Sequence, residues 1–210
     1  MLKKFVPEGE SRFFAVLMPV VLLLAALAWH NRFIQDDAFI SFRYARNFVE
    51  GHGLVWNIGE PVEGYTNFLW VMLVSGALRL GIEPIGFTYG AGIICFVFSL
   101  IFAFKIAEIV LHSRNWALLA VALLGTNYTF SSYATGGLET QLQACLVTCA
   151  AYLVVASLSA GHWSTSRLAA LSAVSTSALL TRMDSAVVVF ICASVAGLGV
   201  IRGGKVCPPP

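Results

Sequence analysis

The sequence predicts an all-α polytopic membrane protein with about six transmembrane helices and interfacial helices in its first outer loop. Three observations lead there. Hydrophobic residues make up 58% of the chain, charged residues only 11%, and the mean hydropathy is +0.80; in soluble domains about a quarter of residues are charged. Apolar runs recur at 13–29, 68–82, 85–106, 116–133, 142–160, 168–180 and 185–201. One polar island at 35–67, rich in acid, glycine and aromatic residues, interrupts them.

The first run follows Lys3, Lys4 and Arg12 and contains Ala26-Leu27-Ala28, a small-residue pattern of the kind signal peptidase cleaves. The run is longer than a secretory signal's apolar region, so a retained signal anchor is expected. Within the island, Asp36 is placed to cap a helix running from Asp37 to Glu50. On that helix Arg43, Arg46, Asn47 and Glu50 share a polar face, and Phe42, Ala45 and Val49 share the opposite one, as in a helix lying in the membrane interface. Glycines at 51, 53, 59 and 64, with Pro61, then predict turns. Run 68–82 is short for a crossing, and 168–180 must borrow neighbours to reach the roughly 20 residues a bilayer requires.

Charge decides whether 68–82 crosses. If it does not, Lys3, Lys4, Arg12, Lys105, Arg114, Arg167, Arg202 and Lys205 all fall on the cytoplasmic side, leaving Arg32, Arg43, Arg46, Arg79 and Arg182 outside. If it crosses, the balance inverts. Six crossings with both termini cytoplasmic are therefore expected, with 68–82 re-entrant or interfacial. Residues 1–210 form a single membrane domain in which 30–84 is the first outer loop. The island, the turn Thr135-Gly-Gly-Leu-Glu139-Thr140 and the turn Thr181-Arg-Met-Asp184 then converge on one side.

Composition also excludes some functions. The net charge of +2 comes without any basic stripe, which excludes a nucleic-acid-binding surface. Cys95, Cys145, Cys149, Cys192 and Cys207 lack metal-ligand spacing, and the first four lie in apolar runs as small hydrophobes. No cofactor is read from the sequence, and a divalent metal near the acidic residues stays open.

The adjacent carboxylates Asp36 and Asp37 suit a general base that takes a hydroxyl proton while a phosphate leaves, the second acid holding sugar hydroxyls or orienting the first. Capping of the following helix is the alternative use of Asp36. Trp56, Tyr65 and Trp70 fit either stacking on sugar faces or placement at the membrane interface, which is the expectation for Trp70. Glu139 fits a functional acid or a helix start, and Arg182 fits a lipid phosphate or pairing with Asp184.

The run Asp36-Asp-Ala-Phe-Ile-Ser-Phe-Arg-Tyr-Ala45, followed by Gly53-Leu-Val-Trp-Asn57 and Gly59-Glu-Pro-Val-Glu-Gly-Tyr-Thr-Asn-Phe-Leu-Trp70, resembles the first outer loop of the GT-C superfamily of polyprenyl-phosphate-sugar glycosyltransferases. Within it the likeness is to bacterial arabinofuranosyltransferases that cap cell-wall arabinan. Gly137-Leu-Glu-Thr140 and Arg182-Met-Asp184 fall where that family has its second and third outer-loop motifs. The resemblance implies inverting transfer of a sugar, arabinofuranose in the nearest case, from a polyprenyl-phosphate donor to a glycan or lipid acceptor outside the cytoplasmic membrane. It implies Asp36 as general base, Asp37 as its assistant, Glu63 and Glu139 lining the pocket, and Arg182 on the donor phosphate. Arg43 and Tyr65 join them as candidate substrate contacts.

The family continues for several more helices beyond the part resembled. Helices from further sequence or a second chain are thus expected to complete the site, and residues 1–210 expressed alone are expected to insert without transferring sugar. A membrane transporter or scaffold is the competing class. The acids lie at predicted helix ends and in loops rather than at mid-membrane, which favours the enzyme.

Overall fold

The computed structural model describes residues 8–202 and 205–207, with side chains from Ala15 to Arg202. The elements in order are α1 (Glu8–His30), α2 (Ala38–Val49), α3 (Phe68–Arg79), α4 (Pro84–Leu111), α5 (Arg114–Thr126), α6 (Tyr128–Ser132), α7 (Thr140–Ala160), β1 (His162–Ser164), α8 (Thr165–Thr181), one 3₁₀ turn (Met183–Ser185), α9 (Ala186–Ile201) and β2 (Lys205–Cys207). The described residues are mostly helical, and the short parallel pair β1–β2, with His162 opposite Lys205, together with an isolated antiparallel bridge between Asn57 and Glu60, departs from the all-α expectation.

Among the described residues, three helices are long and apolar enough to cross a membrane: Pro84–Leu111, Thr140–Ala160 and Met183–Ile201. The 12 residues of α3 reach only about 18 Å, short of a hydrocarbon core of about 30 Å, in keeping with a segment that does not cross. Run 116–133 departs from the expected single helix. It breaks at Asn127, whose backbone is extended and whose Oδ1 accepts the Phe130 N–H at 3.0 Å, so the helix stops and restarts as α6. An Asn side chain competes with the helix for backbone donors and favours such a restart. Run 168–180 extends to Thr165–Thr181, where the Ser164 hydroxyl accepts the Arg167 N–H.

Three apolar clusters hold the fold together. Leu17, Val21, Leu24 and Ala28, one stripe of α1, pack with Phe96, Leu100 and Phe104 of α4 and Ala117 and Val121 of α5. The second cluster joins α2 to α3 through Ala38, Phe42, Tyr44, Ala45, Trp70, Val71 and Val74. The third ties α7, α8 and α9 around Trp163 of β1.

Contacts at the helix ends give the chain a polarity. Trp29 at the end of α1 meets Tyr89 at the start of α4 edge-on, with ring centroids 6.0 Å apart. The C-terminal ends of α7 and α9 are joined at the other end by the pairing of β1 with β2. Lys105, Arg114, Arg167 and Arg202 belong to this second end, where Glu108 pairs with Arg114 at 2.7 Å and with Lys105 at 3.4 Å.

Gly92 of α4 lets the turn after α6 approach, because any Cβ there would collide with the Ala134 carbonyl. Gly92→Val is expected to destabilise the fold by about 1–3 kcal/mol or more, since a backbone neighbour cannot rotate away. Gly90→Ala, which meets nothing within 4 Å, is the control and should be neutral or stabilising. Thermal unfolding of both variants in detergent measures the difference.

Candidate functional site

Asp36 and Asp37 occupy the turn that begins α2. The carbonyls of Gln35, Asp36 and Asp37 accept the N–H groups of Ala38, Phe39 and Ile40 at 3.0–3.1 Å, so the main chain itself starts the helix. Neither carboxylate caps it. Asp36 Oδ1 accepts only the N–H of its neighbour Asp37 at 3.1 Å, and Asp37 Oδ2 receives a long 3.5 Å contact from Gln35 Nε2. This corrects the capping expectation for Asp36. Both acids are exposed, and among the described residues neither has an ion-pair partner.

This turn is clamped to the one before α7. Gln35 N–H donates to Gly136 O at 3.0 Å, and Trp70 Nε1 donates to Gly137 O at 3.0 Å. Gly137 has φ +82°, and a Cβ on it would strike Ile34 and stand 2.9 Å from Ala38 Cβ. Glycine is thus required both by conformation and by the closeness of the two turns. Trp70 is 1% exposed, so it is a core residue and neither a sugar platform nor an interfacial anchor.

Just beyond the turn, the Glu139 carboxylate is buried and bonded on both oxygens. Oε2 accepts from Asn67 Nδ2 at 2.8 Å, and Oε1 accepts from Arg182 Nη1 at 3.0 Å. Asn67 Nδ2 also donates to Ser41 Oγ of α2 at 2.9 Å. Arg182 grips Asp184 through Nε at 3.1 Å and Nη2 at 2.9 Å. Gln143 Nε2, one turn into α7, then donates to Asp184 Oδ1 at 2.7 Å and to Ser185 Oγ at 3.1 Å. The bonds to Asp184 first and Glu139 second hold the Arg182 guanidinium protonated above its ordinary value.

One network therefore joins the three polar segments that the sequence places on a common side. Ser41, Asn67 and Gln143 are the members that sequence reasoning missed. Single amides and hydroxyls carry no pattern, and only the spacing of Gln143 one turn after Glu139 offered a signal.

The remaining candidates lie apart from the network. Arg43 Nε donates to Trp56 O at 2.8 Å, Nη2 donates to Asn57 Oδ1 at 3.2 Å, and its guanidinium lies over the Trp56 ring at 4.6 Å. It thus holds the loop that follows α2. Asn47 departs from the expected polar face: it is buried, and its amide donates to Val55 O at 2.7 Å and to Trp56 O at 3.1 Å. Glu63 is exposed and has no hydrogen bond or ion pair among the described residues. Tyr65 is half-buried against Tyr44 at 4.9 Å, and burial, reinforced by the Glu63 charge, pushes its phenol up, so it stays protonated at neutral pH. Among the described residues no group of three or more His, Cys, Asp or Glu could hold a metal ion.

No family model and no solved structure matches the chain. Two curated relatives do. The terminal beta-(1->2)-arabinofuranosyltransferase of Mycobacterium tuberculosis is 39% identical over 29% of this chain and 11% of its own length. Its namesake in Corynebacterium glutamicum is 32% identical over 53% of this chain and 17% of its own length. The chain is similar in sequence to terminal arabinofuranosyltransferases. The matches span less than a fifth of the length of either relative.

The direct bond between Asn67 and Glu139 requires both to face one side of the membrane. Single-cysteine variants at 67 and 139, in a background lacking the native cysteines, are expected to react with an impermeant maleimide from the same side. Because both positions are buried, the exposed neighbours Thr66 and Asp184 are labelled in the same way. Labelling from opposite sides would contradict this arrangement.

Proposed function

We propose that this chain supplies the catalytic acids of a membrane glycosyltransferase that moves arabinofuranose from a polyprenyl-phosphate donor to an extracytoplasmic glycan or lipid acceptor, with inversion. The observation that carries the reading is the exposed Asp36–Asp37 pair, free of capping duty and clamped through Gln35 and Gly136 to the segment bearing the Glu139–Arg182 network.

In the proposed step an acceptor hydroxyl oxygen attacks the anomeric carbon, Asp36 takes the hydroxyl proton, and the bond from that carbon to the phosphate oxygen breaks. The electron pair leaves with the polyprenyl phosphate, so attack from the opposite face inverts the centre. Asp37 orients Asp36 or the sugar hydroxyls. Arg182, already paired with two carboxylates, acts on the donor phosphate by exchanging part of its bond to the exposed Asp184. Glu139 holds Arg182 in place, Glu63 and Tyr65 lie along the loop that would cover the substrates, and Arg43 of α2 anchors that loop.

The membrane arrangement belongs to the same proposal. Passes by α1, α4, α5 with α6, α7, α8 and the 3₁₀ turn with α9 give six crossings, and α2 and α3 lie in the outer loop. Lys105, Arg114, Arg167 and Arg202 then face the cytoplasm, as the positive-inside rule favours. A lipid-borne donor suits this face, because its phosphate is presented at the membrane surface beside the network.

Complementation tests the reading. A chimera in which this chain replaces the matching segment of the C. glutamicum relative should restore terminal arabinofuranose to a strain lacking that relative. A stably inserted chimera that leaves the glycan unchanged would count against it.

A further inference from the structure

The outer loop contains a groove that the proposed chemistry does not use. It lies between α2 and the start of α4, has a volume of about 400 Å³, and is lined chiefly by Phe39, Phe42, Arg43, Arg46, Asn47 and Glu83. That volume is within the roughly 300–1,000 Å³ of small-ligand sites. Resting on the transferase reading above, we propose that this groove is the subsite that holds the acceptor glycan.

The chemistry of the walls favours a neutral polyhydroxyl ligand. Arg46 is exposed and makes no hydrogen bond, ion pair or ring contact among the described residues, so all five of its N–H donors are open. Opposite it, each Glu83 oxygen accepts one N–H, from Ile85 at 3.1 Å and from Gly86 at 2.8 Å, and keeps a lone pair for a ligand hydroxyl. Donors and an acceptor thus face one space, as sugar hydroxyls require. An anionic headgroup would gain from Arg46, and less from Arg43, whose Nε and Nη2 are committed to Trp56 and Asn57, but would be repelled by Glu83. Phe39 is 48% exposed and sits edge-on to Phe42 at 5.5 Å, leaving a ring face for the C–H surface of a sugar.

Position agrees with this use. Phe39 is one helical turn beyond Asp36, and its N–H donates to Asp36 O at 3.0 Å. A glycan in the groove would thus extend its end toward the proposed base. Arg43, fixed by Trp56 and Asn57, forms a rigid part of the same wall.

Binding can be read without turnover. The purified chain in nanodiscs of neutral lipid would be titrated with a synthetic arabinofuranose trisaccharide, with inorganic phosphate and phosphatidylglycerol nanodiscs as comparators. Saturable trisaccharide binding is expected, weakened about tenfold or more by Arg46→Ala, since a bond to a charged donor is lost. Phe39→Ala should weaken it severalfold. Thermal unfolding of each variant separates lost contact from lost fold.

Absence of saturable binding, binding indifferent to both Arg46→Ala and Phe39→Ala, or an Arg46-dependent response to phosphatidylglycerol in place of the trisaccharide would overturn the proposal. The two readings fail separately. Trisaccharide binding that depends on Arg46, with no transfer by the chimera, upholds the subsite and removes the transferase. Transfer by a chimera whose acceptor KM ignores Arg46→Ala does the reverse.

Discussion

Asp36→Asn is expected to lower sugar transfer by about 100-fold or more in the C. glutamicum chimera while leaving its folding intact. A general base typically contributes 10²- to 10⁴-fold, and the amide keeps the size of the side chain while removing the lone-pair basicity. The structure makes this a clean test. Asp36 makes no side-chain cap to α2, and its carboxylate accepts only the Asp37 N–H, a bond the Asn oxygen can also accept. Loss of charge at the helix start costs a few tenths of a kcal/mol to about 1 kcal/mol. Initial rates and unfolding temperatures measured on one preparation separate the effects, and near-normal turnover would remove Asp36 from proton transfer.

Arg182→Met is expected to disorganise the end of the bundle that carries the Glu139 network and to be partly rescued by a second change, Glu139→Gln. Glu139 is 5% exposed, and without the guanidinium its charge would be left with only the Asn67 amide. Removing one partner of a fully buried pair costs about 3–5 kcal/mol. The Arg182 side chain is 39% exposed, so solvent screens the pair and about 1–3 kcal/mol is the better expectation. In the double variant the neutral glutamine can still accept from Asn67, and the unpaired charge is gone. Thermal unfolding of the two single variants and the double variant gives the coupling; equal loss in Arg182→Met and the double variant would mean that the pair does not organise this end.

Much of this arrangement was legible in the sequence because it follows from length and charge. Run 68–82 is short for a crossing, and the distribution of Lys and Arg favours placing the three polar segments on one side; the bond from Asn67 to Glu139 and the ion pair from Glu139 to Arg182 agree with that grouping. What escaped depends on single tertiary bonds. Asn47 belongs to the polar face by helical spacing, yet two carbonyls of a loop eight and nine residues away draw it inward. Trp70 reads as an interfacial aromatic until the Gly137 carbonyl, distant in sequence, satisfies its indole N–H within the core. The break at Asn127 lies inside an apolar run, where hydropathy has no means of registering one side chain capturing the Phe130 N–H. For the candidate site, the acids and Arg182 stood out as charges among apolar residues, whereas Ser41 and Asn67, which link α2 to Glu139, are neutral and unpatterned.

The most direct measurement is transfer by the purified chimera from a polyprenyl-phosphate donor carrying ¹³C-labelled arabinofuranose, with the product's anomeric centre read by NMR. Labelled sugar should appear on the acceptor with configuration opposite to that of the donor, and Asp36→Asn should reduce it to near background. Retention of configuration, or equal product formation by Asp36→Asn and the parent chimera, would contradict a single-displacement site built on the acids before α2.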